Sequence, residues 1–249
     1  MTRVVIIGGS GRMGRALVAS AGACEVEVSA VIASARSAVV GQDAGEMAGV
    51  RRLGVPITTD LGAALAGAQV VIDFSLPQAA RDHVDQCALA RVPLVLGTTG
   101  LPEGIEADLA RASQRIAVLV APNTSLGITL LLDLVQRAAA ALPDEFDVSI
   151  VEGHHRAKKD APSGTALALG RAVAAGSKAA VDYAVVRGGD LIGEHTVRFL
   201  GAGEELSLGH RAGDRAIFAR GALRAAAWLA AQRPGRYAMR DVLGIKSGS

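Results

Sequence analysis

Through the first half of the chain, short apolar runs recur, each closed by glycine or polar residues and followed by a stretch suited to a helix. The runs are Val4–Ile7, Val26–Ala33, Val70–Ser75, Pro93–Gly97 and Ile116–Val120; the helical stretches are Arg15–Ala21, Leu61–Ala66, Pro77–Ala90 and residues 103–113. Continuously apolar strands suit a sheet covered on both faces, and helices between them return the chain for parallel pairing. An open parallel sheet is predicted. The pattern changes after an apolar helix over Ile128–Ala141. Phe146–Val151 alternates as a half-buried strand does, and beyond a helix at 166–175, Val181–Leu191, Gly193–Leu200 and Glu205–His210 read as strands joined by tight turns. This second region is predicted to be an antiparallel or mixed sheet. A long helix over Ala216–Ala231 follows. No repeat or low-complexity segment interrupts the order, and the small-residue stretch Ala174–Ala180 is too short to separate independent domains.

The first run ends in Gly8-Gly9-Ser10-Gly11-Arg12-Met13-Gly14, where Gly9, Gly11 and Gly14 satisfy G-x-G-x-x-G between a strand and a helix. Glycines there permit the tight turn, let the backbone approach a pyrophosphate and allow the helix to pack close. This predicts a Rossmann-type dinucleotide site at Gly8, Gly9, Ser10, Gly11, Arg12 and Met13; the alternative is a glycine turn that serves packing only. At the end of the second strand an NAD-preferring site carries Asp or Glu for the ribose diol. Here Ala33-Ser34-Ala35-Arg36-Ser37 offers no carboxylate, and Ser34, Arg36 and Ser37 suit a 2′-phosphate. The reading favours NADPH, against the alternative of a solvated loop. Gly97-Thr98-Thr99-Gly100 and Ala121-Pro122-Asn123-Thr124-Ser125 close later strands at the carboxyl edge where open α/β sheets bind ligands. The alternative for both is simple strand-end punctuation.

Composition narrows the class. Half of the 249 residues are hydrophobic, enough for a sizeable core. A net charge of +2, from 26 basic and 24 acidic residues without a basic stripe, gives no reason to invoke nucleic acid or a membrane surface. Cys24 and Cys87 lie far apart with no metal-ligand spacing, so both read as buried thiols, with no metal site and no disulfide framework. No run is long enough to span a bilayer, and Met1-Thr2-Arg3 leads at once into an apolar strand, unlike a signal peptide. A cytoplasmic location is expected.

The most specialised side chains fall in Glu152–Leu167. Two histidines, His154 and His155, a cluster of Arg156, Lys158 and Lys159, and an Asp160-Ala161-Pro162-Ser163-Gly164-Thr165 turn follow a strand and precede a strong helix. Pro162 suits a first helical turn, and Ser163 or Thr165 can occupy orphan N–H groups. A helix N-terminus and nearby cations favour an anion, and histidine titrates near neutrality. Taken singly, the His-His pair reads as a surface accident and the basic cluster as a solvated face; together they place an acid and an anion anchor in one loop.

The pattern Glu152-x-His154-His155-x-x-Lys158-x-Asp160-Ala-Pro-Ser-Gly164-Thr165-Ala resembles the signature of the 4-hydroxy-tetrahydrodipicolinate reductase (dihydrodipicolinate reductase) family, enzymes of lysine and diaminopimelate synthesis. Five segments match in order, among them Gly41–Gly49, which has no evident chemistry, and the closing Gly235–Gly244. The resemblance implies an α/β Rossmann-type parallel-sheet domain over 1–125, completed by 216–249, and a smaller α+β domain over 126–215 for substrate binding and oligomerisation. It further implies NAD(P)H-dependent reduction of a small cyclic dicarboxylate by a homotetramer, with NADH usable beside NADPH. His154 would be the proton donor or acceptor and Lys158 a proton donor, with His155, Lys158, Gly164 and Thr165 holding substrate carboxylates. Gly97, Thr98, Thr99, Ala121, Pro122, Asn123 and Thr124 would line the nicotinamide half of the cofactor, while Glu152 and Asp160 orient the loop. The chain departs from the family in three places: Thr124 stands where an aromatic residue is common, the link from Ala174 to Tyr183 is short, and the pliant Gly153 adjoins the acid. Two competing readings are a dehydrogenase of another small acid and a dinucleotide-sensing regulator without chemistry.

Overall fold

In the computed structural model, which describes residues 1–245, the first apolar run forms β1 (Thr2–Ile7) and the helix α1 (Arg12–Ala21) begins inside the glycine motif. Then follow β2 (Val26–Ile32), α2 (Ala44–Met47), β3 (Ile57–Thr58), α3 (Leu61–Leu65), β4 (Val70–Asp73), α4 (Ala80–Ala90), β5 (Leu94–Leu96), α5 (Ile105–Ser113) and β6 (Ala117–Val120). The next stretch holds α6 (Leu126–Ala141), β7 (Asp147–His154), α7 (Gly164–Gly176), β8 (Val181–Arg187), β9 (Glu194–Gly201) and β10 (Glu204–Arg211). The chain closes with α8 (Ala216–Leu229), β11 (Gly235–Tyr237) and α9 (Met239–Val242).

Two compact units result: Met1–Thr124 with the segment from Ala216, and the inserted Ser125–Arg215. The last residues of the expected C-terminal segment, 246–249, lie outside the described residues.

The first unit is a seven-stranded sheet in the order β11-β6-β5-β4-β1-β2-β3, parallel throughout. The predicted α/β architecture is thus present, with two short strands, β3 and β11, that the periodicity did not separate from loops. Alternation sends Val5, Ile7, Val71, Leu94, Leu96 and Val118 to one face, where they pack with Leu61 and Leu65 of α3, Val84 and Cys87 of α4, and Leu109 of α5. Val4, Ile6, Ile72, Val95 and Leu119 are buried on the other face, where α8 packs on α1 and against β4 and β5. Cys87 is a buried thiol, whereas Cys24 is only partly buried.

The second unit is a four-stranded mixed sheet in the order β10-β9-β7-β8, with β7 parallel to β8 and antiparallel to β9. The expected tight turn joins β9 and β10 through Ala202 and Gly203, but β8 and β9 do not form a hairpin. They flank β7 instead, because β8 returns through α7 as a parallel strand and the following loop carries the chain to β7's other edge. The core of this unit joins α6 and α7 to one sheet face through Leu131, Val135, Ile150, Leu169, Val197 and Phe199.

Candidate active site

Along β7 the residues Val148, Ile150, Glu152 and His154 share the covered face. The first two join the apolar core; the last two extend that face at the strand's carboxyl end as a buried acid and a buried imidazole. Glu152 has no accessible surface. Its oxygens accept from the Arg187 guanidinium at 2.7 and 3.0 Å and from the Ser163 N–H at 3.2 Å, and Nδ1 of His154 lies 2.5 Å away. Burial pushes this carboxyl up, but hydrogen bonds from Arg187 and His154 outweigh it and hold the group below the usual carboxylate range. An ionised Glu152 only accepts, so Nδ1 of His154 is the donor and Nε2 is left for chemistry. A Cβ on Gly193 would stand 3.2 Å from that Nε2, so glycine there leaves the nitrogen unobstructed. Burial lowers the His154 imidazole more than its bond to Glu152 raises it.

His195 pairs with Glu152 across β7 and β9, and its ring meets that of His154 edge-on at 5.1 Å. Only 4% exposed, it is driven by burial, and then by the charge of His154, down to about 4, so it is neutral. Its Nε2 lies 3.2 Å from Oγ of Ser163, the N-cap of α7, which accepts from the Ala166 N–H at 3.2 Å. The helix thus opens at Gly164 and Thr165, two residues before the expected 166, and Pro162 precedes the Ser163 cap instead of lying in the first turn. Nζ of Lys158 pairs with Asp160 at 2.8 Å and holds that carboxyl below its usual range. His155 is half-buried just past the strand, and its carbonyl accepts from the Lys158 N–H at 3.0 Å. Arg187 also donates to the Asp160 carbonyl at 2.7 Å, tying β8 to the loop.

The motif residues thus gather around the ends of β7 and α7. Sequence reading singled out neither Arg187 nor His195, because both arrive from other strands more than thirty positions away. Ligand atoms of Glu152, His154 and His195 lie within 4.8 Å of one another. Both oxygens of Glu152 already receive Arg187, and a guanidinium bonded to the acid opposes a divalent ion there, so the cluster reads as an ion-paired acid–base group.

In the first unit, the Gly8 and Gly9 N–H groups both donate to the Ile32 carbonyl at 3.0 Å, closing the turn onto β2. Gly8 has φ 85°, and an added Cβ there would stand 2.5 Å from the Phe74 carbonyl oxygen; one on Gly14 would stand 2.4 Å from that of Gly8. Gly11 caps α1 without a side chain, so nothing of its own covers the first-turn amides of Arg12 and Met13. That is a cradle suited to a pyrophosphate. Ser10 and Met13 are half-buried and Arg12 is exposed. Ser34 and Arg36 are exposed after β2, where Oγ of Ser34 accepts from the Arg36 N–H at 3.2 Å.

At the neighbouring strand ends, Gly97 and Thr98 are buried and Thr99 is exposed; Ala121 is buried, Pro122 exposed and Asn123 half-buried. Thr124 is buried; its hydroxyl donates to the Phe218 carbonyl at 2.7 Å and its own carbonyl packs against Gly221, where an added Cβ would stand 1.8 Å away, so it is committed to α8. Between these turns lies a pair that sequence reading passed over. The carboxylate of Asp73, without accessible surface, lies 2.8 Å from Nδ1 of His83 and accepts from the Ser75 N–H at 2.8 Å, with the Thr98 hydroxyl within 3.4 Å. It joins the ends of β4 and β5 to α4. The Gly41–Gly49 segment also acquires a role, since Asp43 accepts from the N–H groups of Gly45, Glu46, Leu53, Gly54 and Val55. The Leu53 contact leads in holding its carboxyl at about 2. This is a loop clamp.

Residues 2–124 match the family described as dihydrodipicolinate reductase, N-terminus, and residues 127–243 match dihydrodipicolinate reductase, C-terminus. The 4-hydroxy-tetrahydrodipicolinate reductase of Thiobacillus denitrificans is 46% identical, covering 98% of this chain and 99% of its own. That of Anaeromyxobacter dehalogenans is 44% identical over the full length of both. Among solved structures, dipicolinate-bound dihydrodipicolinate reductase from Paenisporosarcina sp. TG-14 aligns with a TM-score of 0.80 at 24% identity, covering 96% of this chain and 97% of that one. GenD2 from gentamicin A biosynthesis, in complex with NAD, aligns with a TM-score of 0.64 at 15% identity, covering 98% and 90%.

Proposed function

The chain belongs to the dihydrodipicolinate reductase family, and on that premise we propose that it reduces 4-hydroxy-tetrahydrodipicolinate, by way of dihydrodipicolinate, to tetrahydrodipicolinate with NAD(P)H, in lysine and diaminopimelate synthesis. The observation that carries the reading is the buried Glu152–His154 pair set beside Lys158, His155 and the start of α7.

The first unit, which meets the expected 1–125 and 216–249 except that Ser125 falls in the insert, is assigned to the dinucleotide, held by Gly8 to Met13 through the uncapped start of α1 and by Gly97 to Thr99 and Ala121 to Thr124 at the strand ends. Bound there, the nicotinamide supplies a hydride. Exposed Ser34 and Arg36, with no carboxylate after β2, support NADPH as the preferred form, NADH serving less well. The second unit, Ser125–Arg215, is assigned to substrate. Reduction of the conjugated ring leaves electron density on a carbon that must be protonated; His154, after its Nε2 takes up a proton from solvent, gives that proton while Nδ1–H stays bonded to Glu152. Lys158 supplies a second proton donor and, with His155, a cationic or hydrogen-bonding anchor. The Gly164–Thr165 opening of α7 completes a carboxylate clamp, since anions favour a helix N-terminus.

By its resemblance to the family we assign the chain to a homotetramer. No helix among the described residues is long and apolar enough to cross a membrane, and we assign the enzyme to the cytoplasm.

NADPH consumption by the purified protein with 4-hydroxy-tetrahydrodipicolinate tests the reading. Substrate-dependent oxidation is expected. Dinucleotide binding without turnover would make the protein a sensor, and turnover only with another small acid would reassign its substrate.

A further inference from the structure

Glu152 is buried without accessible surface, and a carboxylate so placed takes up a proton unless a cation or several donors oppose it. Its protonation would matter to its neighbour. A protonated Glu152 carries an O–H that can donate to Nδ1 of His154, reversing the bond and moving the imidazole hydrogen to Nε2. Arg187 is the cation bonded to Glu152 among the described residues, through two nitrogens at 2.7 and 3.0 Å. The parallel register sets Arg187 opposite His154, and its further bond to the Asp160 carbonyl fixes the guanidinium from the loop side. The other charged or titratable groups facing the pair do not replace it: Lys158, from the loop, is paired with Asp160, and His195, from β9, is neutral.

We propose that Arg187 is a positioning residue: it holds Glu152 in its ionised, accept-only form, which keeps one hydrogen of His154 on Nδ1 and leaves Nε2 as the atom that takes up a proton from solvent and passes it to substrate. This rests on the reading of His154 as the acid. Arg187 touches neither substrate nor cofactor in that scheme and acts through Glu152.

The test reads the tautomer directly. Nitrogen-15 spectra of histidine-labelled full-length protein, recorded without substrate above the titration of His154, should show Nδ1 protonated in the parent and in Arg187→Lys. In Arg187→Met the hydrogen should move to Nε2. Glu152→Gln provides a second route should that variant fold poorly. Its amide oxygen is drawn to the position bonded by both Arg187 and the Ser163 N–H, which turns the amide NH2 toward Nδ1 and should also reverse the tautomer. In kinetics, Arg187→Met should lower kcat by about ten- to a hundred-fold, part of the full acid–base contribution, with little change in KM. Loss of a cation beside the pair raises its proton affinity, so the pH limb of kcat assigned to His154 should move to higher pH, and Arg187→Lys should restore it. An Nδ1–H tautomer that persists in both Arg187→Met and Glu152→Gln, with the limb unmoved, would overturn the proposal and leave Arg187 a structural ion pair. The acid assignment fails separately: normal turnover in His154→Ala would remove it while leaving the tautomer result standing.

Discussion

His195 and His210 stand directly opposite each other across the β9–β10 ladder, and each brings Nε2 to the serine that caps a helix. His195 meets Ser163 of α7 at 3.2 Å, and His210 meets Ser125 of α6 at 3.4 Å. Each serine oxygen also accepts from a first-turn N–H, so each hydroxyl can donate to its ring only while that nitrogen is unprotonated. The two Nδ1 atoms are buried away from any acceptor among the described residues, which leaves a charged ring poorly stabilised.

Stability should therefore fall on acidification. With His195 at about 4 when folded and 6.5 as its ordinary value, the unfolded chain takes up the proton first. The stabilisation is complete above pH 6.5 and is lost as pH falls toward 4, by up to about 3 kcal/mol. Denaturant midpoints measured from pH 7.5 to 4 should drop less steeply in His195→Gln than in the parent. Parallel slopes would dissociate the loss from His195.

His154→Ala should lower turnover by roughly a hundred- to ten-thousand-fold, the usual loss when acid–base catalysis is removed. Cofactor affinity should persist, because the dinucleotide is assigned to the other unit. Steady-state kinetics with a fluorescence titration of NADPH separates the two; an equal loss of binding would point to a folding defect.

His83→Ala should weaken dinucleotide binding about three- to tenfold, the scale of about one lost buried hydrogen bond. The ring secures Asp73, and through it the strand ends carrying Ser75 and Thr98. Calorimetric Kd values for NADPH measure this, and an unchanged Kd would confine the pair to packing.

Arg36→Ala should reduce the NADPH-to-NADH ratio of kcat/KM by about ten- to a hundred-fold, the worth of roughly 1.5–3 kcal/mol in one charge-assisted phosphate contact. A parent ratio at or below unity, or one insensitive to the substitution, would return Arg36 to the solvated loop.

Residues near one another in sequence disclosed most of this architecture. The β1–glycine–α1 unit and the His154–Thr165 loop are local, and their side chains carry their meaning in spacing alone. What stayed hidden depends on strand pairing. Arg187 and His195 acquire roles only because β8 and β9 both flank β7, whereas their order in the chain suggested a hairpin with each other. Asp73 and His83, ten positions apart, meet because α4 folds back toward the end of β4. Thr124 shows the same limit: its place in a strand-end turn is legible, but the bond of its hydroxyl to the carbonyl of Phe218 depends on the return of a helix from the far end of the chain.

The return of α8 and β11 to the first sheet sets an order of assembly during synthesis. Residues 1–124 leave the ribosome with six strands and the glycine loop, but the apolar layer around Ile6, Ile72, Val95 and Leu119 waits for Leu223 and its neighbours on α8. The insert, continuous from 125 to 215, emerges complete before that cover does. The part of the chain made first is thus finished last, and a nascent polypeptide halted before Ala216 would display an open hydrophobic layer to chaperones and to other unfinished copies of itself.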